Sequence, residues 1–114
     1  MAVALLIVLF LISSSLSVPA LSAIETVEGE VVGYAVMRFS EYNLSPPDLI
    51  LYVLTIRVKG EKPAFMRKDR STLKIFSKKP VPSWIFGKRV ILSVKYAGDE
   101  RGGNYWLVRI REVR

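Results

Sequence analysis

The charged groups come first, because they are what this chain could act with. It contains no His and no Cys, so the usual near-neutral general base, the usual zinc ligands and a thiolate nucleophile are all missing. Carboxylates remain, and catalysis by a pair of them needs two that converge across a cleft. Glu28 and Glu30 instead share a strand face, Asp48 follows Pro47, and Asp99 and Glu100 sit together in a turn. That scatter reads as solvated acid. The expectation is a protein that is not an enzyme and that uses neither cofactor nor metal.

The basic residues are more suggestive. Seventeen Lys and Arg face ten Asp and Glu, a formal net charge of +7. Residues 57–95 hold 12 basic side chains and two acidic ones, Glu61 and Asp69, a local +10. Such a field attracts polyanions, meaning nucleic acid, anionic lipid head groups or acidic envelope polymers. Period-two alternation puts Thr55, Arg57 and Lys59 on one strand face, and Thr72, Lys74, Phe76 and Lys78 on that of the next. Arg67, Lys68 and Arg70 enter from the connection between them. The candidate ligand-binding residues are therefore Arg57, Lys59, Arg67, Lys68, Arg70, Lys74, Phe76 and Lys78. The cations would compensate anionic groups while Phe76 offers a ring for stacking. A register slip of one residue would put Phe76 in the core instead. The competing reading is a solvated basic face that serves solubility.

Ahead of all this charge lies an uncharged segment, "MAVALLIVLFLISSSLSVPALSA", with an unbroken apolar run from Ala2 to Ile12. Eleven apolar residues are short for a membrane span but fit the hydrophobic region of a signal peptide. Val18-Pro19-Ala20 offers small residues at a cleavage site, and Ala23 offers a second. Residues 2–24 carry no charge, so an uncleaved anchor is the alternative. Either reading of residues 1–23 sends the remaining domain, 24–114, outside the cell, secreted or membrane-anchored. The lack of Cys and Gln, with only two Asn, fits depletion of thermolabile residues at high temperature.

The elements that must position these side chains are strands. Alternation marks 26–38, 49–59, 71–79, 88–96 and 104–112, with Gly29 and Gly33 inviting a bulge or bend in the first. The prolines of "NLSPPD" (43–48) require a loop, and its glycosylation-like pattern Asn43-Leu44-Ser45 is read as coincidence. In "PVPSWIFG" (80–87), Pro82 or Ser83 starts one helical turn that Gly87 ends. The stretch "AGDERGG" (97–103) is read as a hairpin turn rather than a binding loop, with Tyr96 and Tyr105 as a cross-strand pair at its base.

Five strands, a bent first strand and a short turn between the third and fourth resemble the OB-fold, the five-stranded Greek-key barrel. The resemblance covers about residues 26–112 and includes the lead "GKRVILSVKY" into a glycine-containing hairpin. It implies an all-β barrel that binds across strands two and three, and it is similar to small exported bacterial and archaeal domains of this fold. Haem-carrying members of that group use a His, so haem is not implied here. An SH3-like barrel or a small β-sandwich is the structural alternative. Expected inside are Tyr52, Leu54, Ile56, Leu73, Ile75, Val90, Leu92, Val94, Trp106, Val108 and Ile110, with Trp84 or Phe86 closing one end. The function expected is a non-enzymatic exported domain that binds a partner or ligand at the cell envelope. The alternative is a basic single-strand nucleic-acid binder.

Overall fold

A computed structural model describes residues 23–99 and 102–114. The segment read as signal or anchor lies outside the described residues except for Ala23, as do Glu100 and Arg101 of the turn tip. The chain is all-β, with strands β1 (Ile24–Arg38), β2 (Ile50–Lys59), β3 (Thr72–Ser77), β4 (Arg89–Asp99) and β5 (Gly102–Val113). They close into a barrel in the order β1-β2-β3-β5-β4, which is compatible with the OB-like arrangement. The β3–β5 pairing is parallel and the others are antiparallel.

The first strand does what its glycines suggest. It pairs with β4 through Ile24–Glu30 and with β2 through Glu28–Arg38, with a register shift between Val31 and Gly33. At Gly29 the neighbouring strand β2 closes in. A Cβ there would lie 2.2 Å from the Arg57 carbonyl oxygen, so no larger residue fits.

Inside the barrel, Val27, Val31, Leu54, Ile56, Ile75, Val90, Leu92 and Val94 form one buried cluster. Tyr52, Leu73 and Ile110 pack against it half-buried. Val108 departs from expectation, at 42% exposed. The alternation that placed it inside is broken twice. Ser93 faces Arg109 while Val94 faces Leu107, leaving Val108 as the extra residue of a bulge. Ile91 faces Glu112 while Leu92 faces Ile110, which makes Arg111 a second one. The inward positions of β5 thus become Tyr105, Leu107, Ile110 and Val113, and Trp106 turns to the outer face.

The end of the barrel is closed differently than expected. Trp84 and Phe86 are 59% and 56% exposed, and the buried plug is Ile85 with Val81. A 3-10 turn at Ser83–Ile85 can send only one of neighbouring side chains inward. Hydrogen bonds between Val31 and Gly87–Lys88 choose which. Gly87 supplies the positive φ of 83° that this reversal needs. The Tyr34 hydroxyl donates to the Val81 carbonyl and fixes the preceding segment.

A second cluster lies outside the barrel wall. Phe39, Leu51, Val53 and Phe76 are buried there, with Met37, Tyr42, Leu44 and Trp106 around them. The cover is the segment after β1. A 3-10 turn at Phe39–Tyr42 is followed by the proline loop, held by Phe39 N–H to Leu49 O and Leu44 N–H to Phe39 O, 2.9 and 3.0 Å. Beneath it β2 is buried on both faces, as its run of consecutive apolar residues allows.

Candidate functional site

The candidate residues do not form one groove. They divide into groups, and the strand registers explain how. Glu30 is directly opposite Arg57 and Glu28 opposite Lys59. The Arg57 guanidinium donates to the Glu30 carboxylate at 3.1 Å, with both side chains about half exposed. Lys59 shares a shallow cleft with Glu28 and Glu61. Carboxylates therefore accompany both cations, and this part of the face offers an anion little net charge.

Phe76 is a correction. It is 3% exposed, in the cluster beneath the Phe39–Leu49 cover, with its ring 4.9 Å from that of Tyr42 and 5.5 Å from Trp106. It lies on the outer face, as the alternation requires, but the covering segment leaves no ring surface for a ligand. Nothing in residues 71–79 signals that cover, because it comes from a different part of the chain.

Arg67, Arg70 and Lys74 do converge. They line a cleft of about 370 Å³ between the 60–70 connection and the outer face of β2 and β3. Thr55, Thr72 and Phe65 line it too, so the cleft combines three cations with two hydroxyls. Arg67 is held by a two-pronged contact to Asp69, at 3.2 and 3.0 Å. Both partners are about two-thirds exposed, so the pair is weak and screened. The Lys74 ammonium lies 3.4 Å from the Tyr42 hydroxyl and 5.7 Å from the centre of its ring. Lys68 is exposed and does not line the cleft, and its backbone carbonyl accepts from the Lys62 ammonium at 2.6 Å.

What positions this connection is a clasp that sequence reasoning missed. The Glu25 carboxylate accepts from the Ala64 N–H at 2.8 Å and from the Tyr105 hydroxyl at 2.9 Å. The same hydroxyl accepts from the Phe65 N–H at 3.0 Å. Phe65 also stacks on Tyr96, with ring centres 4.3 Å apart and planes within 16°, and Met66 is buried. Burial, with the Glu25 carboxylate beside it, pushes the Tyr105 hydroxyl up to about 12, against the Phe65 N–H that favours its ionised form. It therefore remains a donor to Glu25. Tyr96 and Tyr105 form the cross-strand pair expected at the hairpin base, with centres 5.1 Å apart.

Lys78 belongs to a separate pocket of about 420 Å³, beside the end of β3. Its ammonium lies 5.6 Å from the centre of the Trp106 ring. Lys79 and Lys95 complete a ring of three lysines, and Ala97 and Leu107 line the rest with Trp106. Lys95 was legible as an outward residue of β4. Trp106 was not, because its placement depends on the bulges of β5 and on the parallel pairing that sets it beside Phe76. Comparison of the chain with models of known protein families, with characterised proteins and with solved structures finds no match.

Proposed function

We propose that the chain is a non-enzymatic, exported or membrane-anchored domain that binds an anionic partner at the cell envelope through the cleft over β2 and β3. The observation that carries this reading is the convergence of Arg67, Arg70 and Lys74 above Thr55 and Thr72, on the barrel face that OB-folds use for ligands. The uncharged segment with its apolar run Ala2–Ile12 supports the address. An exported domain meets acidic envelope polymers far more often than nucleic acid, so the polymer is the favoured partner.

The test is a salt titration of binding to an acidic polysaccharide, run beside single-stranded DNA. Affinity should fall as salt rises, because binding releases the counterions held by the polyanion. The double substitution Arg70→Ser and Lys74→Ser should flatten that dependence and leave the fold intact. On DNA the loss amounts to about 0.7 log units of slope for each phosphate contact removed. Equal replacement at Arg57 and Lys59, which face carboxylates, should change the slope less. Preference for DNA would favour the single-strand reading, and absence of binding to either polymer at low salt would overturn the proposal.

A further inference from the structure

We infer that the pocket ringed by Lys78, Lys79 and Lys95 around Trp106 is a docking surface for the anionic head groups of a phospholipid bilayer. The inference deepens the reading of a membrane-anchored domain and rests on it. Three observations converge. The first is charge. Three lysines line one pocket, and no acidic residue lines it among the described residues. Three other clefts among the described residues contain lysine, and two of them mix it with Glu25, Glu28 or Glu61 while the third sets it among arginines and threonines.

The second observation is the tryptophan. Trp106 is half-buried, with one side packed on Phe76 and Phe39 and the other facing the pocket beneath the Lys78 ammonium. An indole wet at one edge and apolar over the rest suits the membrane–water boundary, where tryptophan concentrates. Lysines flanking it can rest their stems on apolar surface while their ammonium groups reach phosphate oxygens.

The third is chain continuity. Ile24 lies directly opposite Lys95, and Lys95 directly opposite Trp106, so the three side chains stand on one outer face. Ile24 is 62% exposed there and is the last residue of the uncharged stretch 2–24. Eleven residues separate it from Ile12, the end of the apolar run, and they extend at most about 40 Å. A chain anchored through that run thus holds this face close to the bilayer. Tethering makes docking intramolecular, so contacts too weak to recruit a free protein are sufficient to orient an anchored one. At the far end of β4 the exposed Trp84 and Phe86 would then point away from the membrane.

The experiment uses the full chain carrying Trp84→Phe, which leaves Trp106 as the sole tryptophan. It is reconstituted into vesicles of phosphatidylcholine, or of phosphatidylcholine mixed with phosphatidylglycerol, and Trp106 emission is followed with acrylamide as quencher. The expected result is blue-shifted, shielded emission in the anionic vesicles only, reversed by high salt. Replacing Lys78, Lys79 and Lys95 with Ser should weaken the dependence on phosphatidylglycerol by about fivefold per lysine. Arginine at the same positions should restore it, which separates a charge effect from misfolding. If the chain floats with both vesicles but Trp106 is quenched equally in them, the docking surface is overturned while the anchored reading stands. If it floats with neither, both fall. Shielding by single-stranded DNA in neutral vesicles, with none from phosphatidylglycerol, would overturn the lipid assignment in favour of nucleic acid.

Discussion

Tyr105 shows how much one side chain can hold in a small barrel. Its ring is buried in the interior cluster, and its hydroxyl ties Glu25 to the backbone of the connection that carries Arg67 and Arg70. Its proton is also retained beyond the ordinary tyrosine value of 10.0, up to about 12. A group whose folded-state value is raised contributes stability that is present in full below the unfolded value. That contribution disappears as pH rises through the folded one. Stability should therefore decline between about pH 10 and pH 12. Tyrosinate absorbance should carry a component near pH 12, and Tyr105→Phe should remove both that component and the matching share of the decline. If Tyr105→Phe leaves the titration near pH 12 unchanged, the clasp is not formed. None of this was visible in the stretch "GGNYWLVRIRE", where Tyr105 stood out only as a partner for Tyr96. The other partners lie 40 and 80 residues away.

Among the elements, strands were easier to read than the side each residue faces. Alternation in 49–59 and 88–96 located β2 and β4 because one face of each packs on the same interior, and the burial of Leu54, Ile56, Val90, Leu92 and Val94 follows from it. Alternation failed on β5, since an inserted residue carries no compositional mark and reverses every position beyond it. It failed again on the segment 80–87, where two aromatic residues and an isoleucine compete for one inward place. Hydrophobicity favours the larger rings, whereas turn geometry selects Ile85. The two can be separated by truncation. Ile85→Ala should cost about 2–5 kcal/mol, as for other buried aliphatic residues, while Trp84→Ala should stay within about 0.5 kcal/mol of the parent. Chemical denaturation measures both, and a larger loss at Trp84 would mean that the plug is wrongly assigned. The basic cleft was legible to the extent that its cations were near in sequence. Arg67, Arg70 and Lys74 come together over a span of eight residues, whereas the Trp106 pocket draws on the end of β3 and on two further strands, β4 and β5, and was not foreseen.

For the molecule as a whole, closure is uneven. β1 and β2 run alongside each other from Glu28 to Arg38, and β4 and β5 along most of their lengths, but β3 meets β5 only at Ile75 with Tyr105 and Phe76 with Trp106. A ring opens first where the fewest bonds hold it, and parallel pairing is slightly weaker per residue than antiparallel. In amide hydrogen exchange under native conditions, the backbone amides of this seam should exchange before those shared by β1 with β2, through openings that leave the rest of the barrel folded. Uniform protection around the barrel would show that closure is a single cooperative event. Both basic hollows border the short strand β3, one at each side of it. Only the Trp106 pocket takes lining from both sides of the seam, Ser77 at the end of β3 and Trp106 with Leu107 of β5. An anion held there would act as a rivet across the joint, so that occupancy is recorded as slowed exchange on the opposite side of the wall, with no change in the average shape.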